Sequence, residues 1–83
     1  MILCKVVGSV IATRKHEKLV GSKFMVVEPL NSPEGCFVAV DNIGAGVGDR
    51  VMVVRGSGAR LVCNAENAPV DAAIVGIIDE GTY

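Results

Sequence analysis

Eighty-three residues, 51% of them hydrophobic and 20% charged, suit one small globular domain, residues 1–83, and leave no room for a second core. The formal net charge of −1 removes the dominant electrostatic grip by which nucleic-acid binders hold phosphate. No apolar run approaches the roughly 18–20 residues that a membrane span needs, and Met1-Ile2-Leu3-Cys4-Lys5 lacks the pattern of a signal peptide, so a soluble cytoplasmic protein is expected.

In chain order, Ile2 to Thr13 is rich in β-branched residues and predicts a strand, with Gly8 at a bulge or a close backbone contact. Arg14-Lys15-His16-Glu17-Lys18 reads as a charged loop. Lys23 to Glu28 predicts a second strand ended by Pro29. Asn31-Ser32-Pro33-Glu34-Gly35 predicts a hairpin turn, with Pro33 fixing φ and Gly35 supplying a positive φ. Cys36 to Val40 and Arg50 to Arg55 predict the third and fourth strands, and Ile74 to Asp79 the last. Between the last two, Ser57 is placed to cap a short helix over Gly58 to Cys63, and Pro69 to start one further turn. Five short strands with glycine-rich turns and one short helix before the last predict an all-β fold: a small antiparallel OB-like barrel.

Several of these strands are apolar on both faces. Cys36-Phe37-Val38-Ala39-Val40, Val51-Met52-Val53-Val54 and Ile74-Val75-Gly76-Ile77-Ile78 do not alternate as half-exposed strands do. A small barrel has one interior, and one short helix covers little of its exterior. Neighbouring copies of the chain are the simplest cover.

The densest unusual feature is Val40-Asp41-Asn42-Ile43-Gly44-Ala45-Gly46-Val47-Gly48-Asp49-Arg50-Val51. Glycines this close together need a geometric reason: a phosphate cradle, a close approach of two backbones, or a turn. The stretch begins like G-x-G-x-x-G, but Asp49 stands where the last glycine belongs, and a strand follows instead of a helix whose N-terminus could hold a pyrophosphate. No P-loop motif occurs. His16 is the single histidine, set among Arg14, Lys15, Glu17 and Lys18 with no nucleophile beside it in sequence. The carboxylates Asp41, Asp49, Asp71, Asp79 and Glu80 are scattered at strand ends. The three cysteines, Cys4, Cys36 and Cys63, are odd in number, far apart and without C-x-x-C or zinc-ligand spacing, and read as small buried or half-buried hydrophobes in a reducing cytosol. No catalytic, cofactor or metal site is therefore expected. A single-stranded nucleic-acid module on an OB-like barrel is the alternative from another class. It needs stacking aromatics and a basic groove, against which the chain offers Phe24, Phe37, Tyr83 and the loop Arg14 to Lys18.

Gly8 to Lys15, Leu19 to Val27, Val38 to Asp49, Gly56-Ser57-Gly58-Ala59-Arg60, Pro69-Val70-Asp71 and Ile74 to Asp79 together resemble the EutN/CcmL family of bacterial microcompartment vertex proteins, nearly end to end and in order. The resemblance implies a non-enzymatic shell protein without cofactors: an OB-like barrel that forms homopentamers and caps the vertices of a polyhedral shell otherwise tiled by hexameric proteins. It implies no nucleic-acid or membrane partner. Gly58 departs from the second serine common at that place, and only Glu80 to Tyr83 follow Asp79, so a C-terminal extension is expected to be absent or minimal.

A closed ring sets one face of a protomer against a different face of the next. Crowding near a five-fold axis favours residues without side chains, which places Gly44, Ala45 and Gly46 at or near protomer contacts. Asp41, Asn42, Gly48, Ser57, Arg60 and Asp71 complete the candidate interface. Arg60 is a candidate for a bond to Asp41 or Asp71, within the chain or across protomers. Arg14, Lys15, His16 and Lys18 form a candidate contact to neighbouring hexamers.

Overall fold

A computed structural model describes residues 1–56, 58–59 and 70–79. Five strands, β1 (Ile2–Val10), β2 (Lys23–Pro29), β3 (Phe37–Asp41), β4 (Arg50–Arg55) and β5 (Ala72–Ile77), close into a barrel in the order β1-β2-β3-β5-β4. The OB-like barrel expected from the sequence is present, with one departure from antiparallel pairing: β3 and β5 run parallel, through Val40–Ala73 and Asp41–Ile74. A parallel pair cannot be joined by a tight hairpin, and β3 and β5 are separated in the chain by residues 42–71, which include β4. Of the expected helix, Gly58 and Ala59 are helical. Its remainder, Ser57, Arg60 and the Pro69 turn lie outside the described residues.

Strand bounds shift by a few residues from those expected. β1 stops at Val10, β2 includes Pro29, and β5 starts earlier, at Ala72, and ends at Ile77. The bulge expected near Gly8 is there: the β1–β2 register slips between Val6 and Gly8. The hairpin joining β2 and β3 also forms, but Gly35 turns without a positive φ; the glycines that adopt one are Gly21, Gly44, Gly48 and Gly56. The loop Arg14 to Lys18 is not wholly irregular. Glu17–Leu19 closes a 3-10 turn, because the His16 side chain and carbonyl accept the first N–H groups.

Period-two patterning fills the barrel. Cys4, Val6, Met25, Val27, Ala39, Val51, Val53, Ala72 and Ile74 point inward and are buried, with Ile2 and Phe37 packed against them. Small and β-branched side chains suit so narrow an interior. The two-faced strands find part of their cover in the chain itself. A second cluster of Val40, Ala59, Val70 and Ala73 lies against Leu19, Phe24 and Val54 on the outside of the barrel. That cover is incomplete: Val38 and Ile77 remain exposed.

Candidate functional site

The glycine-rich loop between β3 and β4 is built around one carboxylate. Asp41 ends β3 with its side chain fully buried, and it turns that side chain along the loop that follows. Oδ1 accepts the backbone N–H groups of Ile43 (3.0 Å) and Gly44 (3.2 Å), and Oδ2 accepts that of Ala45 (2.8 Å). An aspartate before a turn takes such bonds because its short side chain can reach amides two to four residues on. The buried charge is further compensated by Lys23, whose Nζ lies 3.8 Å from Oδ2 and donates to the Ala45 carbonyl at 2.8 Å. Lys23 opens β2 directly opposite Asp41 in the β2–β3 register.

The far end of the loop is held the same way. Asp49 Oδ2 accepts the Gly46 N–H at 2.8 Å, and the Asp49 N–H donates to the Gly46 carbonyl at 3.0 Å. Gly48 donates to the Val6 carbonyl and Asp49 accepts from the Val6 N–H, so the turn extends the β1–β4 ladder past Lys5. Gly44 and Gly48 have φ of +99° and +96°, a region closed to most side chains, so glycine is required there by the loop itself. Gly46 is different. Its φ is not positive, and a Cβ built on it would meet only Asp49 Oδ2 at 3.8 Å. Nothing among the described residues requires a glycine at that position.

The loop brings together Asp41, Asn42, Gly44, Ala45, Gly46 and Gly48. The Ala45 side chain is fully buried in the barrel core, so it faces its own barrel and not a neighbour. Asn42, Gly44 and Gly48 are exposed, together with Ile43 and Val47, which is 67% accessible. Asp41 is engaged with the loop amides and Lys23, which leaves Asp71 as the accessible one of the two partners considered for Arg60. Asp71 is exposed, and its carbonyl accepts the Gly56 N–H at 2.7 Å. Ser57 and Arg60 lie outside the described residues.

Arg14, Lys15, His16 and Lys18 are all exposed in the β1–β2 loop, where Lys15 Nζ donates to the Ala12 carbonyl and His16 Nδ1 accepts the Lys18 N–H. Lys23 was not singled out from the sequence. Its signal was a lysine and an aspartate at facing ends of adjacent strands, readable only once the register is known.

Both strand aromatics are half-buried and already engaged within the chain. Phe24 packs into the outer cluster, and Phe37 carries the Arg55 guanidinium 4.5 Å from its ring centroid. Arg55 also bonds Glu34 at 2.8 Å. Cys4 is buried as expected, Cys36 is exposed instead because it lies in the β2–β3 turn just before β3, and Cys63 lies outside the described residues; burial pushes the Cys4 thiol up, with smaller opposed effects of Arg55 and Glu34. Among the described residues no three His, Cys, Asp or Glu side chains converge as metal ligands, and no helix is long and apolar enough to cross a membrane. Exposed apolar side chains stand in the loops, Val20 (71%) and Ile11 (92%) between β1 and β2 and Val47 and Ile43 between β3 and β4, as well as on the strands at Val7, Val10, Val38 and Ile77. An open groove of about 200 Å³ runs between Leu19, Phe24, Val38, Val40 and Asp71.

Comparison with known proteins places this arrangement. A family model described as "Ethanolamine utilisation protein EutN/carboxysome" matches residues 1–79. The bacterial microcompartment shell vertex protein EutN of Escherichia coli K12 is 44% identical over 84 residues, covering 96% of this chain and 88% of the relative. Among solved structures, the carboxysome subunit CcmL superposes with a TM-score of 0.88 at 42% identity, over 95% of this chain and 86% of the other. The pentameric microcompartment shell protein GrpN of Rhodospirillum rubrum does so with 0.85 at 42% identity, over 95% and 94%.

Proposed function

This chain belongs to the EutN/CcmL family of bacterial microcompartment shell vertex proteins, and we propose that five copies close into a ring that occupies the vertices of a polyhedral shell. The role is structural and not catalytic, and the whole of residues 1–83 acts as one vertex unit. One observation carries the reading: similarity to a pentameric shell protein extends over 95% of this chain and 94% of that one, so what is shared is the entire building block. The exposed Val38, Ile43, Val47 and Ile77 are the apolar surface a ring contact needs, since each remains uncovered within the single chain.

The rest of the shell is proposed to consist of hexameric shell proteins in the cytoplasm. A flat hexagonal layer closes into a polyhedron only where five-fold units add curvature, so a five-fold ring supplies what the hexamers lack. The exposed β1–β2 loop, with Arg14, Lys15, His16 and Lys18, is the proposed contact to those hexamers.

Two measurements test this. Native mass spectrometry of the purified chain is expected to show a five-copy species, and a single-copy species throughout the micromolar range refutes the ring. Co-expression with hexameric shell proteins is expected to give closed polyhedral particles under the electron microscope. Unclosed sheets or tubes, unchanged by adding this chain, refute the vertex role.

A further inference from the structure

The β3–β4 loop has an inner side and an outer side. The inner side is fixed by the Asp41 carboxylate and by Ala45, whose methyl group is buried in the barrel core. The outer side presents Ile43, Gly44 and Val47 to solvent, with the half-buried Gly46 between them. Lys23 bonds into this stretch from another strand. Its ammonium spans the Ala45 carbonyl and the Asp41 carboxylate, and so ties the loop to β2. Its side chain is 52% accessible, so it works from the surface, and its removal opens no cavity in the core.

We propose that Lys23 is a positioning residue for ring closure. It holds the loop segment Ile43–Val47 in the shape that the next copy meets, without itself supplying the contact. The proposal rests on the ring reading above. Docking onto a pre-shaped loop costs less ordering entropy than docking onto one that must be shaped on contact. A brace that removes that cost strengthens association more than it strengthens the fold of the single chain. The carbonyl of Ala45 and the carboxylate of Asp41 are both acceptors, so the brace needs a donor that carries positive charge. Arginine meets that requirement and methionine, of similar length, does not.

The test compares Lys23→Met, Lys23→Arg and Lys15→Met with the wild type. Lys15→Met removes the same charge from the β1–β2 loop and serves as the control. Dissociation of the ring on dilution is followed by native mass spectrometry, and amide exchange is followed at Ile43, Gly44 and Ala45 and at Val51 and Val53. Lys23→Met is expected to raise the midpoint concentration for dissociation at least tenfold and to speed exchange at Ile43–Ala45 at least tenfold. Exchange at Val51 and Val53 stays unchanged. Lys23→Arg is expected to restore the midpoint to within threefold of wild type, and Lys15→Met to leave it there.

A midpoint unmoved by Lys23→Met overturns the proposal, and so does a midpoint moved equally by Lys15→Met or left unrestored by Lys23→Arg. Faster exchange without weaker rings makes Lys23 a local tie only and overturns the positioning role. A wild type that is monomeric at every concentration overturns the ring reading and this proposal together. In that event the exchange rates still report whether Lys23 holds the loop.

Discussion

The β3–β4 and β1–β2 loops of this barrel are built by opposite means. The β3–β4 loop, residues 42–49, is tied at one end by a buried carboxylate that accepts three backbone N–H groups, at the other by Asp49, and from the side by Lys23. Among the described residues, the β1–β2 loop, residues 11–22, is held by local bonds: Lys15 to the Ala12 carbonyl, the Lys18 N–H to His16, the 3-10 turn at Glu17–Leu19 and the Ser22 N–H to the Leu19 carbonyl. A loop whose acceptors are buried has one low-energy shape, because every alternative strands an amide away from water. A loop whose bonds face solvent exchanges them for water at small cost. The first suits a contact repeated identically around a ring. The second suits a contact that adapts to a different partner.

The largest effect that separates them comes from Asp41→Asn. An asparagine amide placed where the carboxylate sits sets its NH₂ against Ala45 N–H in one orientation, and against both Ile43 N–H and Gly44 N–H in the other. Each buried donor left without an acceptor costs about 1–3 kcal/mol. A loss of about 2–4 kcal/mol in urea denaturation is expected, together with loss of the ring. A loss below about 1 kcal/mol would mean that the carboxylate is not what shapes the loop.

Next in size is Gly46→Val, read against Gly46→Ala. Within the chain a Cβ at this position finds only an ordinary contact with Asp49 Oδ2. Gly46→Ala is therefore expected to leave thermal stability within about 1 kcal/mol of wild type. If the missing side chain is needed at the ring contact, Gly46→Val removes the five-copy species in light scattering while leaving a folded single chain. A normal ring from Gly46→Val breaks the assignment of this position to the contact.

How far these loops are readable in the sequence differs in the same way. The five strands appear near their observed places because runs of β-branched and apolar residues are set off by glycine, proline and charged turns. The Gly8 bulge also shows in the chain alone. Asp41 is identifiable as a strand-end aspartate that binds nearby backbone amides, since its partners lie two to four residues on. Lys23 is not, because its partner is adjacent only through the β2–β3 register. The parallel β3–β5 pairing is hidden for the same reason: Val40 and Ala73, and Asp41 and Ile74, are neighbours only through the register. Crowding at a subunit boundary was one reading for the glycines as a group, yet Gly44 and Gly48 are required by their positive φ inside the loop. Gly46 alone lacks an internal reason. The outer faces of the strands were expected to be bare until copies meet, whereas Val40 and Ala73 are covered by Ala59 and Val70 of the same chain. That cover joins residues far apart in the chain, so it is not visible before the fold is known.

A smaller effect sharpens the comparison at one backbone geometry. Gly44 and Gly21 both have positive φ, +99° and +88°, and neither has any atom within 4 Å of where a Cβ would stand. An alanine is thus strained by backbone conformation alone at both places, at about 1–3 kcal/mol if nothing moves. Gly44 is held by the Asp41 bond to its N–H and cannot relax, while Gly21 sits in the loosely bonded loop. Gly44→Ala is expected to cost about 1–2 kcal/mol and Gly21→Ala less than about 1 kcal/mol. Equal costs would show that the β1–β2 loop is as tightly held as its counterpart.

The smallest effect belongs to His16→Ala. The bond it deletes, Lys18 N–H to His16 Nδ1 at 3.1 Å, is fully exposed, so water replaces it as soon as it is lost. A change of no more than about 0.5 kcal/mol is expected, a shift of about 2–4 °C in Tm for a domain of this size. Ring closure should not change, because the β3–β4 loop shares no bond with this turn. Binding to hexameric shell proteins is where the substitution should act, since the 3-10 turn sets how Arg14, Lys15 and Lys18 are displayed. Surface plasmon resonance against an immobilised hexamer measures it. Weaker binding with Tm and ring mass preserved assigns the adaptable loop to the partner contact; unchanged binding, with the turn lost by amide exchange, removes that assignment and leaves the tied loop as the only assembly determinant of the two.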